Sequence, residues 1–425
     1  MIRSLERGGA EVALLTLIEG LLSRGHRVDL VLIEFQGVRL QQIPKAVNLF
    51  VLDPKYQKRF ESVPCSLSAD EIKWIKPPLG FRETAKALSS YLGLLSLDDS
   101  VRLAPRRRHI KPVLALRDYL TAEQPDLIYA SLPRSCYISI LARRLSLVRL
   151  PVIWSLHSDN IDKYSNRDRK YFEKLIGYAD RIHTCSKGVA ESVTKYTGSN
   201  KLPKSKCIRV TAIYNAFNAE RILSLSTNPN SHRWSAACTN ETKDDSSKLI
   251  LSAGRLGSVK NFALLIRAFS LALKSIEAKL VILGEGTERE NLENLARKLN
   301  VDHALSMPGH VDNPYSFMAR ADLFVLSSDY EGMPMVLGEA LLCGCPIVST
   351  DCPSGPSEFL VDGQWGRLVP VGDESAMADA IVASLMESPN RLEMKRRGMD
   401  FDVNHLIPLY ETMFREVVDE YRGQV

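Results

Sequence analysis

The stretch EGMPMVLGEALLCGCPIVST, residues 331–350, decides the predicted fold, because an apolar run of helical length passes through a glycine into a β-rich run. Glu331 stands before the apolar run and Glu339 stands inside it, with seven residues between them. Pro334 fits the first helical position, where a missing N–H costs nothing. The two acids are either ligands for a polar molecule at a helix N-terminus or ordinary surface charges.

Helix and strand patterns alternate on both sides of this stretch. LILSAGRL (249–256), KLVILGEG (279–286) and LFVLSSDY (323–330) each have the pattern of a buried strand that runs into a loop. In the first half, AEVALLTLIEGLLSRG (10–25) has helical spacing and HRVDLVLIEF (26–35) is β-rich. This alternation predicts an α/β fold in which helices cover parallel sheets.

The chain of 425 residues is too long for one typical core, so two domains are expected. A polar stretch rich in Ser, Thr, Asn and Asp, residues 224–248, interrupts the alternation. The charge changes there as well: residues 1–220 contain 35 basic and 22 acidic side chains, whereas residues 221–425 contain 20 and 28. We predict a first domain at 1–218, a second at 219–405 with a loop at 224–247, and a terminal amphipathic helix at 406–425.

Composition excludes several classes of protein. No apolar run approaches the roughly 18 residues of a membrane-spanning helix, and the start MIRSLERGG lacks the apolar core of a signal peptide. A cytoplasmic location is therefore expected. The eight cysteines are scattered without a C-x-x-C pair, which favours buried thiols in a reducing compartment. The chain contains no Gly-Lys dipeptide, which excludes a P-loop ATPase.

The densest basic segment is RLAPRRRHIKP, residues 102–112. It is either a solvated loop or a contact for anionic lipid head groups or a phosphorylated acceptor. A nucleic-acid partner is disfavoured because no aromatic platform accompanies the charges. The basic side chains are Arg102, Arg106, Arg107, Arg108 and Lys111.

Two cations follow the strand predicted at 249–252. Arg255 and Lys260 come after a turn that contains Gly254. Arginine offers a fork of donors and lysine a movable point charge, so the pair suits a diphosphate. Taken alone, the pair favours solvated side chains over a ligand contact.

Two further loops contain glycines after predicted strands. Gly284 and Gly286 resemble half of a dinucleotide fingerprint, but the third glycine is missing, so the sequence is a weak signal for NAD. A tight turn that brings the backbone close to a ligand fits them better. The polar loop at 309–313, with His310 and Val311, either presents backbone groups to a base or is a plain turn.

The stretch at 331–350 completes the pattern. The amide groups of residues 332–336 precede or begin a helix and favour an anion. Glu339, one turn further, suits the neutral hydroxyls of a ribose. Glu331 would repel the phosphates unless cations and a polyhydroxyl group separate them, as a sugar on the diphosphate would. The four loops together predict a ligand made of base, ribose, diphosphate and sugar.

This ordered set of motifs resembles retaining glycosyltransferases of the GT-B fold, in glycosyltransferase family 4. The motifs are G-R-L-x4-K-N at 254–261, G-E-G at 284–286, S-x2-E-G at 328–332, E-x7-E from Glu331 and G-x-L-V-P at 366–370. In the first half, RGGAE at 7–11 is similar to the family's glycine loop, WSLHSDN at 154–160 to its histidine-bearing element, and YNAFN at 214–218 to its hinge entry. Only MIRSL precedes the glycine loop, where the family has a full strand, so the first strand is truncated or begins upstream.

The resemblance implies two Rossmann-like, doubly wound parallel-sheet domains that face a cleft, with the last helix crossing back to the first domain. It implies that Arg255 and Lys260 neutralise the leaving diphosphate, that Glu331 contacts the transferred sugar and that His157 bonds the sugar or the acceptor. No metal or other cofactor is implied, since the only D-x-D, at 400–402, lies outside the matching loops. The residues expected to bind the donor are Gly8, Gly9, Arg255, Lys260, Gly284, Gly286, His310, Val311, Glu331, Gly332, Met333, Pro334, Met335, Val336 and Glu339.

The family further implies a UDP-linked hexose or N-acetylhexosamine donor and a glycan or polyprenyl-diphosphate-linked acceptor, as in surface polysaccharide or lipopolysaccharide synthesis. A peripheral position on the inner face of the cell membrane follows from such an acceptor. Three alternatives stay open: a nucleotide-sugar epimerase of the same fold, an inactive nucleotide-sugar-binding protein and a Rossmann dehydrogenase. The missing glycine disfavours the last of these.

Overall fold

The computed structural model divides into two compact units. The first comprises Met1–Cys185, Val189–Ile213 and Ile407–Val425, and the second comprises Ser186–Gly188 and Tyr214–Leu406. The residues that the structure describes are 1–6, 8–53, 64–75, 107–158, 166–198, 208–229, 232, 234 and 247–423.

The division between the units falls after Ile213, whereas the predicted boundary follows residue 218. The segment in between belongs to the second unit because Phe217 pairs with the chain near its other end. The amide of Phe217 donates to the carbonyl of Phe401 at 2.9 Å, and the amide of Val403 donates back to Phe217 at 2.9 Å. The amide of Asn215 lies 3.1 Å from the sulfur of Met333.

The described strands of the first unit form two parallel sheets, in the orders β1-β2-β3 and β4-β5-β6-β7. Ile2 forms a parallel bridge with Leu32, and the carbonyl of Met1 accepts from the amide of Ser131 at 2.9 Å. The first two residues therefore lie between β1 and β4. The strands are β1 (Asp29–Leu32), β2 (Asn48–Val51), β3 (Ile72–Trp74), β4 (Ile128–Ser131), β5 (Val152–Leu156), β6 (Arg181–Thr184) and β7 (Val210–Ala212).

Helices of the first unit use apolar faces to cover these sheets. In the first helix, Leu14, Leu15 and Ile18 have helical spacing and are buried against Leu30 and other strand residues. The α-helices are α1 (Gly9–Ser23), α2 (Arg107–Glu123), α3 (Pro133–Ser146), α4 (Asn166–Ile176) and α5 (Lys187–Gly198), the first two residues of which fall in the second unit. Short 3-10 helices are Val38–Gln42 and Ala69–Glu71.

The second unit contains a six-stranded parallel sheet in the order β10-β9-β8-β11-β12-β13. Its strands are β8 (Lys248–Ala253), β9 (Ala278–Leu283), β10 (Leu305–Gly309), β11 (Leu323–Leu326), β12 (Ile347–Thr350) and β13 (Arg367–Val369). β8 is followed in space by β9 and β10 on one side and by β11 on the other. The order thus reverses between β8 and β11, the point at which open α/β sheets bind ligands.

The helices of the second unit pack on both faces of this sheet. Leu265 and Phe269 are buried against Ile250 and Leu280, for example, together with Ile381. The helices are α6 (Ala219–Ser226), α7 (Phe262–Ala272), α8 (Arg289–Lys298), α9 (Tyr315–Met318), α10 (Met335–Leu342), α11 (Pro356–Leu360), α12 (Glu374–Met386) and α13 (Arg391–Met399). Short 3-10 helices are Ser258–Lys260 and Asp302–Ala304.

The last helix, α14 (Val403–Gly423), begins in the second unit and continues in the first from Ile407 onward. Tyr410 packs on Tyr129 with ring centroids 6.4 Å apart, and Arg181 of β6 pairs with Glu420 at 3.1 Å. This is the crossing helix that the family resemblance implies.

The predicted loop at 224–247 is wrong at its start, because α6 continues to Ser226. Asn218 caps this helix by accepting from the amide of Arg221 at 3.0 Å, and Ile222 is buried. Most of the remainder of that loop, residues 235–246, lies outside the described residues.

Candidate functional site

The loops that follow β10, β9, β8 and β11 touch one another in that order along the carboxyl-terminal edge of the second sheet. The amide of Gly284 donates to the carbonyl of Gly309 at 2.8 Å. Gly284 also lies against Gly254, whose own Cα faces the side chain of Lys260. The Lys260 Nζ is 2.5 Å from Oε1 of Glu331. The structure therefore brings four of the predicted loops together in one row.

The glycines of the G-E-G turn allow backbones to meet. Gly284 has φ +140°, and a Cβ there would lie 1.9 Å from the carbonyl oxygen of Gly254. A Cβ at Gly286 would lie 2.2 Å from the carbonyl oxygen of Leu256. We predicted that this turn brings backbone close to a ligand; in the structure it brings backbone close to the neighbouring loop. The glycines thereby fix where the loop after β8 lies.

Lys260 and Glu331 form an ion pair at the point where the strand order reverses. Their side chains are 24% and 11% exposed, so each is partly removed from water. Ser328 donates to the same Oε1 of Glu331 at 2.6 Å, and Ser327 donates to the backbone carbonyl of Lys260 at 2.9 Å. Asn261, in the left-handed conformation, caps α7 and so ends the loop that carries Lys260. Sequence reasoning missed both serines, although Ser328 lies in the matching S-x2-E-G motif.

The expected repulsion between Glu331 and a phosphate is offset by Lys260, because the ammonium group of Lys260 is paired with the Glu331 carboxylate. Arg255, in the same loop, is exposed. It pairs with no acid among the residues that the structure describes. The edge therefore presents one unpaired guanidinium and one cation that is shared with an acid.

The amide groups before and at the start of α10 are unpaired. Those of Gly332, Met335 and Val336 donate to no acceptor within the described ranges. Pro334 precedes the helix, with φ −73° and ψ 92°, so the prediction that it occupies the first helical position is wrong by one residue. The Pro334 ring packs against Gly355, where an added Cβ would lie 2.4 Å from the ring. Unpaired amides at a helix start favour an anion.

Glu339 lies inside α10, as predicted, and contacts the neighbouring loop. The hydroxyl of Tyr315 donates to its Oε1 at 3.4 Å, a long hydrogen bond. The Glu339 carboxylate, together with burial, raises the pKa of Tyr315 well above its ordinary value, so the phenol stays a donor.

The loop after β10 is anchored by an arginine. Arg289 donates to the carbonyl of Met307 at 3.1 Å and to Glu285 at 2.7 Å. His310 beyond it is exposed, and Val311 is half-buried. Among the predicted base-binding residues, both thus have surface that a ligand can reach.

The glycine loop of the first unit begins a helix. Gly9 is the first residue of α1 and Gly8 is its N-cap. A Cβ at Gly8 would lie 2.1 Å from the carboxylate of Glu11, so any side chain there would require the Glu11 carboxylate to move. Arg7 lies outside the described residues.

His157 follows β5 and is held by two serines. Its Nε2 lies 2.9 Å from Oγ of Ser131 and 3.1 Å from Oγ of Ser155. Its Nδ1 is buried and has no hydrogen-bond partner in the structure. Ser155 and Tyr129 in turn contact His183 of β6, which sequence reasoning also missed. Burial lowers the pKa of His157 to about 4 and that of His183 to about 3.

These two histidines make the stability of the protein sensitive to acid. Each has a folded-state pKa below the ordinary 6.5, so the unfolded chain binds more protons as the pH falls. We expect the free energy of unfolding to be unaffected by them above about pH 7 and to fall progressively from about pH 6.5 to about 4 for His157 and to about 3 for His183. Urea unfolding across this range measures the slope. His157→Asn should remove one histidine's share of it, and an unchanged slope would contradict the lowered pKa.

The basic segment is only partly described. Arg102 and Arg106 lie outside the described residues, while Arg107 and Arg108 begin α2. Lys111 is exposed on the same helix. From Arg107 onward the segment is therefore helical and not a loop.

Asp402 of the D-x-D is buried and accepts from the amide of Ala219 at 3.1 Å, which is a structural role. Across the described part of the chain, no group of three His, Cys, Asp or Glu side chains is placed to hold a metal ion. In the same ranges, no helix is both long and apolar enough to cross a membrane.

Two family models of glycosyltransferases match parts of the chain. Residues 239–400 match the family model of glycosyl transferases group 1, and residues 98–221 match that of Glycosyltransferase Family 4. The chain is 32% identical over 278 residues to the N-acetylgalactosamine-N,N'-diacetylbacillosaminyl-diphospho-undecaprenol 4-alpha-N-acetylgalactosaminyltransferase of Campylobacter jejuni, covering 64% of this chain and 70% of that protein. The chain belongs to glycosyltransferase family 4.

Other similarities agree with membership of family 4. The chain is 26% identical over 278 residues to the lipopolysaccharide 1,6-galactosyltransferase of Escherichia coli K12, covering 64% of this chain and 69% of the relative. The crystal structure of Anabaena HepE superposes with a TM-score of 0.67 at 18% identity and covers 98% of each chain. The predicted GT-B fold is confirmed, and this family 4 protein is a hexosyltransferase enzyme.

Proposed function

We propose that this enzyme transfers a hexose or N-acetylhexosamine from a UDP-sugar, with retention of anomeric configuration, to a glycan or polyprenyl-diphosphate-linked acceptor. The observation that carries the proposal is the row Gly309, Gly284, Gly254, Lys260 and Glu331 at the reversal of strand order. A base at the β10 end, a diphosphate at Lys260 and a sugar at Glu331 would follow the same order along this edge.

Each group has a chemical task in this proposal. The bond between the anomeric carbon and the diphosphate breaks, and its electron pair leaves with the diphosphate. The oxygen of an acceptor hydroxyl forms the new bond to the anomeric carbon, and the proton of that hydroxyl passes to the departing diphosphate. Arg255, Lys260 and the unpaired amides of α10 stabilise that charge, which develops only as the bond breaks. Glu331 contacts the sugar, and Glu339 accepts from the ribose hydroxyls. These cations and amides take the place of a metal ion.

The relatives support the choice of donor and acceptor. HepE has been crystallised with UDP and glucose. The Campylobacter relative is by its name a transferase of N-acetylgalactosamine to a diphospho-undecaprenol glycan. Sugar transfer to a lipid-linked diphosphate would also give the basic segment at 102–112 an anionic partner. A peripheral place at the membrane would follow from such an acceptor.

The test is a thermal-shift screen of UDP-, GDP- and ADP-sugars followed by calorimetric titration of UDP. We expect UDP-sugars to raise the unfolding temperature most. Arg255→Ala should weaken UDP binding about tenfold, because it removes one charge-assisted contact. Affinity should not change on adding EDTA.

The matched control is Arg267→Ala, since Arg267 is also exposed but pairs with Glu374 at 3.2 Å on α7 and α12. Equal UDP affinity for the wild type and Arg255→Ala would contradict the assignment of Arg255. A larger rise in unfolding temperature with GDP- or ADP-sugars would show that the donor base is guanine or adenine and not uracil. Conversion of a UDP-sugar to its epimer without acceptor would favour the epimerase alternative.

A further inference from the structure

A row of polar side chains crosses three neighbouring strands of the first unit. Ser131, Ser155 and His183 are paired in register on β4, β5 and β6. All three are 0% exposed. Buried polar groups in a parallel sheet are costly unless they bond one another, so such a row needs an explanation beyond packing.

The proton position on His183 follows from one fixed acceptor. His183 Nε2 lies 3.0 Å from the carbonyl of Ile213, which can only accept, so Nε2 carries a proton. Because burial keeps His183 neutral, its Nδ1 must accept. Two hydroxyls lie within hydrogen-bond distance of that Nδ1, Tyr129 at 2.8 Å and Ser155 at 3.0 Å, and Tyr129 also lies 2.8 Å from Ser155.

The end of the row is His157. Its Nε2 lies 2.9 Å from the Ser131 hydroxyl and 3.1 Å from the Ser155 hydroxyl, so a proton on Nε2 has two possible acceptors, whereas a proton on Nδ1 would have none. Its Nδ1 then carries a lone pair, which is less costly to bury unpaired than an N–H. This nitrogen is the one polar atom of the row without a partner in the described chain.

Aromatic rings of the last helix seal the other end of the row. Tyr410 lies 5.0 Å from His183 and Phe414 lies 5.6 Å from Tyr129, measured between ring centroids. They exclude water from the inner part of the network, so its bonds are made among its own members.

We propose that Ser131, Ser155 and His183 are positioning residues that lock His157 as the Nε2–H tautomer and aim its Nδ1 at a hydroxyl of the sugar or acceptor. This rests on the proposed function for the identity of the ligand, but not for the tautomer. The row acts through His157 and does not itself touch the ligand.

The test combines NMR with kinetics. In protein labelled with ¹⁵N-histidine, with His157→Gln to assign the signal, wild-type His157 should show one protonated Nε2 and one unprotonated Nδ1. Ser155→Ala should give a mixture of tautomers. Ser131→Ala and Ser155→Ala should lower kcat about tenfold, with donor KM changed less than about twofold, because ring misplacement affects the reacting geometry alone.

Ser139→Ala is the matched control, since Ser139 is equally buried but bonds the carbonyl of Cys136 on α3. Ser131→Thr keeps a hydroxyl at this position and should therefore retain most of the kcat that Ser131→Ala loses. A proton on Nδ1 in the wild type, or kcat values for Ser131→Ala and Ser155→Ala equal to that of Ser139→Ala, would overturn the proposal. A wild type that transfers no sugar overturns the proposed function instead, and the NMR result still decides the tautomer.

Discussion

Replacing Glu331 with glutamine should lower turnover by about 10²-fold or more while UDP affinity changes less than about threefold. Positive charge develops on the anomeric carbon as the diphosphate leaves, and a carboxylate at the sugar stabilises it only in the transition state. Glutamine keeps the shape of the side chain and removes the charge. Initial rates with a UDP-sugar and calorimetry with UDP measure the two quantities separately.

The control for this substitution is Glu293→Gln. Glu293 lies in the same unit and pairs with Arg289 at 3.2 Å, so it also loses an ion pair when neutralised. The Glu293 side chain is 44% exposed, and we expect the turnover of the Glu293→Gln enzyme to stay within about twofold of wild type. Turnover of Glu331→Gln at the level of Glu293→Gln would rule out a role for the charge of Glu331 in the reaction.

Most of this site could be predicted from the sequence because its parts are local. Each motif follows an apolar strand, and parallel strands place such loops on one edge. The contact between Lys260 and Glu331 could not be predicted, because it depends on β8 and β11 being neighbours although two strands separate them along the chain. Ser328 was missed for a different reason: it bonds Glu331 within one loop, and that contact is known only when the loop conformation is known.

The glycines show a second limit. The sequence indicates that Gly284 and Gly286 occupy a tight turn, but not what approaches them. In the structure the neighbour is backbone of the loop after β8. Ligand-approach and loop-packing glycines have the same pattern along the chain, so only the fold separates them.

Of the polar row in the first unit, only His157, at the end of the row, was predicted from the sequence. His157 stood out through a motif, whereas Ser131 and Ser155 are single residues in largely apolar strands and His183 lies in the more polar strand Arg181–Thr184. Such residues gain meaning from the register between strands, which aligns all three. A polar residue near the end of each of three neighbouring strands was the available signal.

Gly284→Ala should strongly destabilise the second unit. The residue has φ +140°, which disfavours any side chain, and its new Cβ would lie 1.9 Å from the carbonyl oxygen of Gly254. Relief requires the loop after β8 to move, so UDP affinity should fall with stability. We expect Gly284→Ala to lower the free energy of unfolding by about 3 kcal/mol. For a unit of this size, that loss corresponds to a fall of roughly 6–12 °C in unfolding temperature.

Gly257→Ala separates this clash from the general effect of replacing a glycine. Gly257 lies in the same loop as Lys260, has φ −129°, and a Cβ there would have no atom within 4 Å. We expect its unfolding temperature to stay level or rise by about 2 °C, since alanine restricts the unfolded chain. Thermal unfolding of both variants and UDP titration make the comparison. If Gly284→Ala unfolds within about 2 °C of Gly257→Ala and binds UDP as well, the close contact between these two loops does not hold the site together.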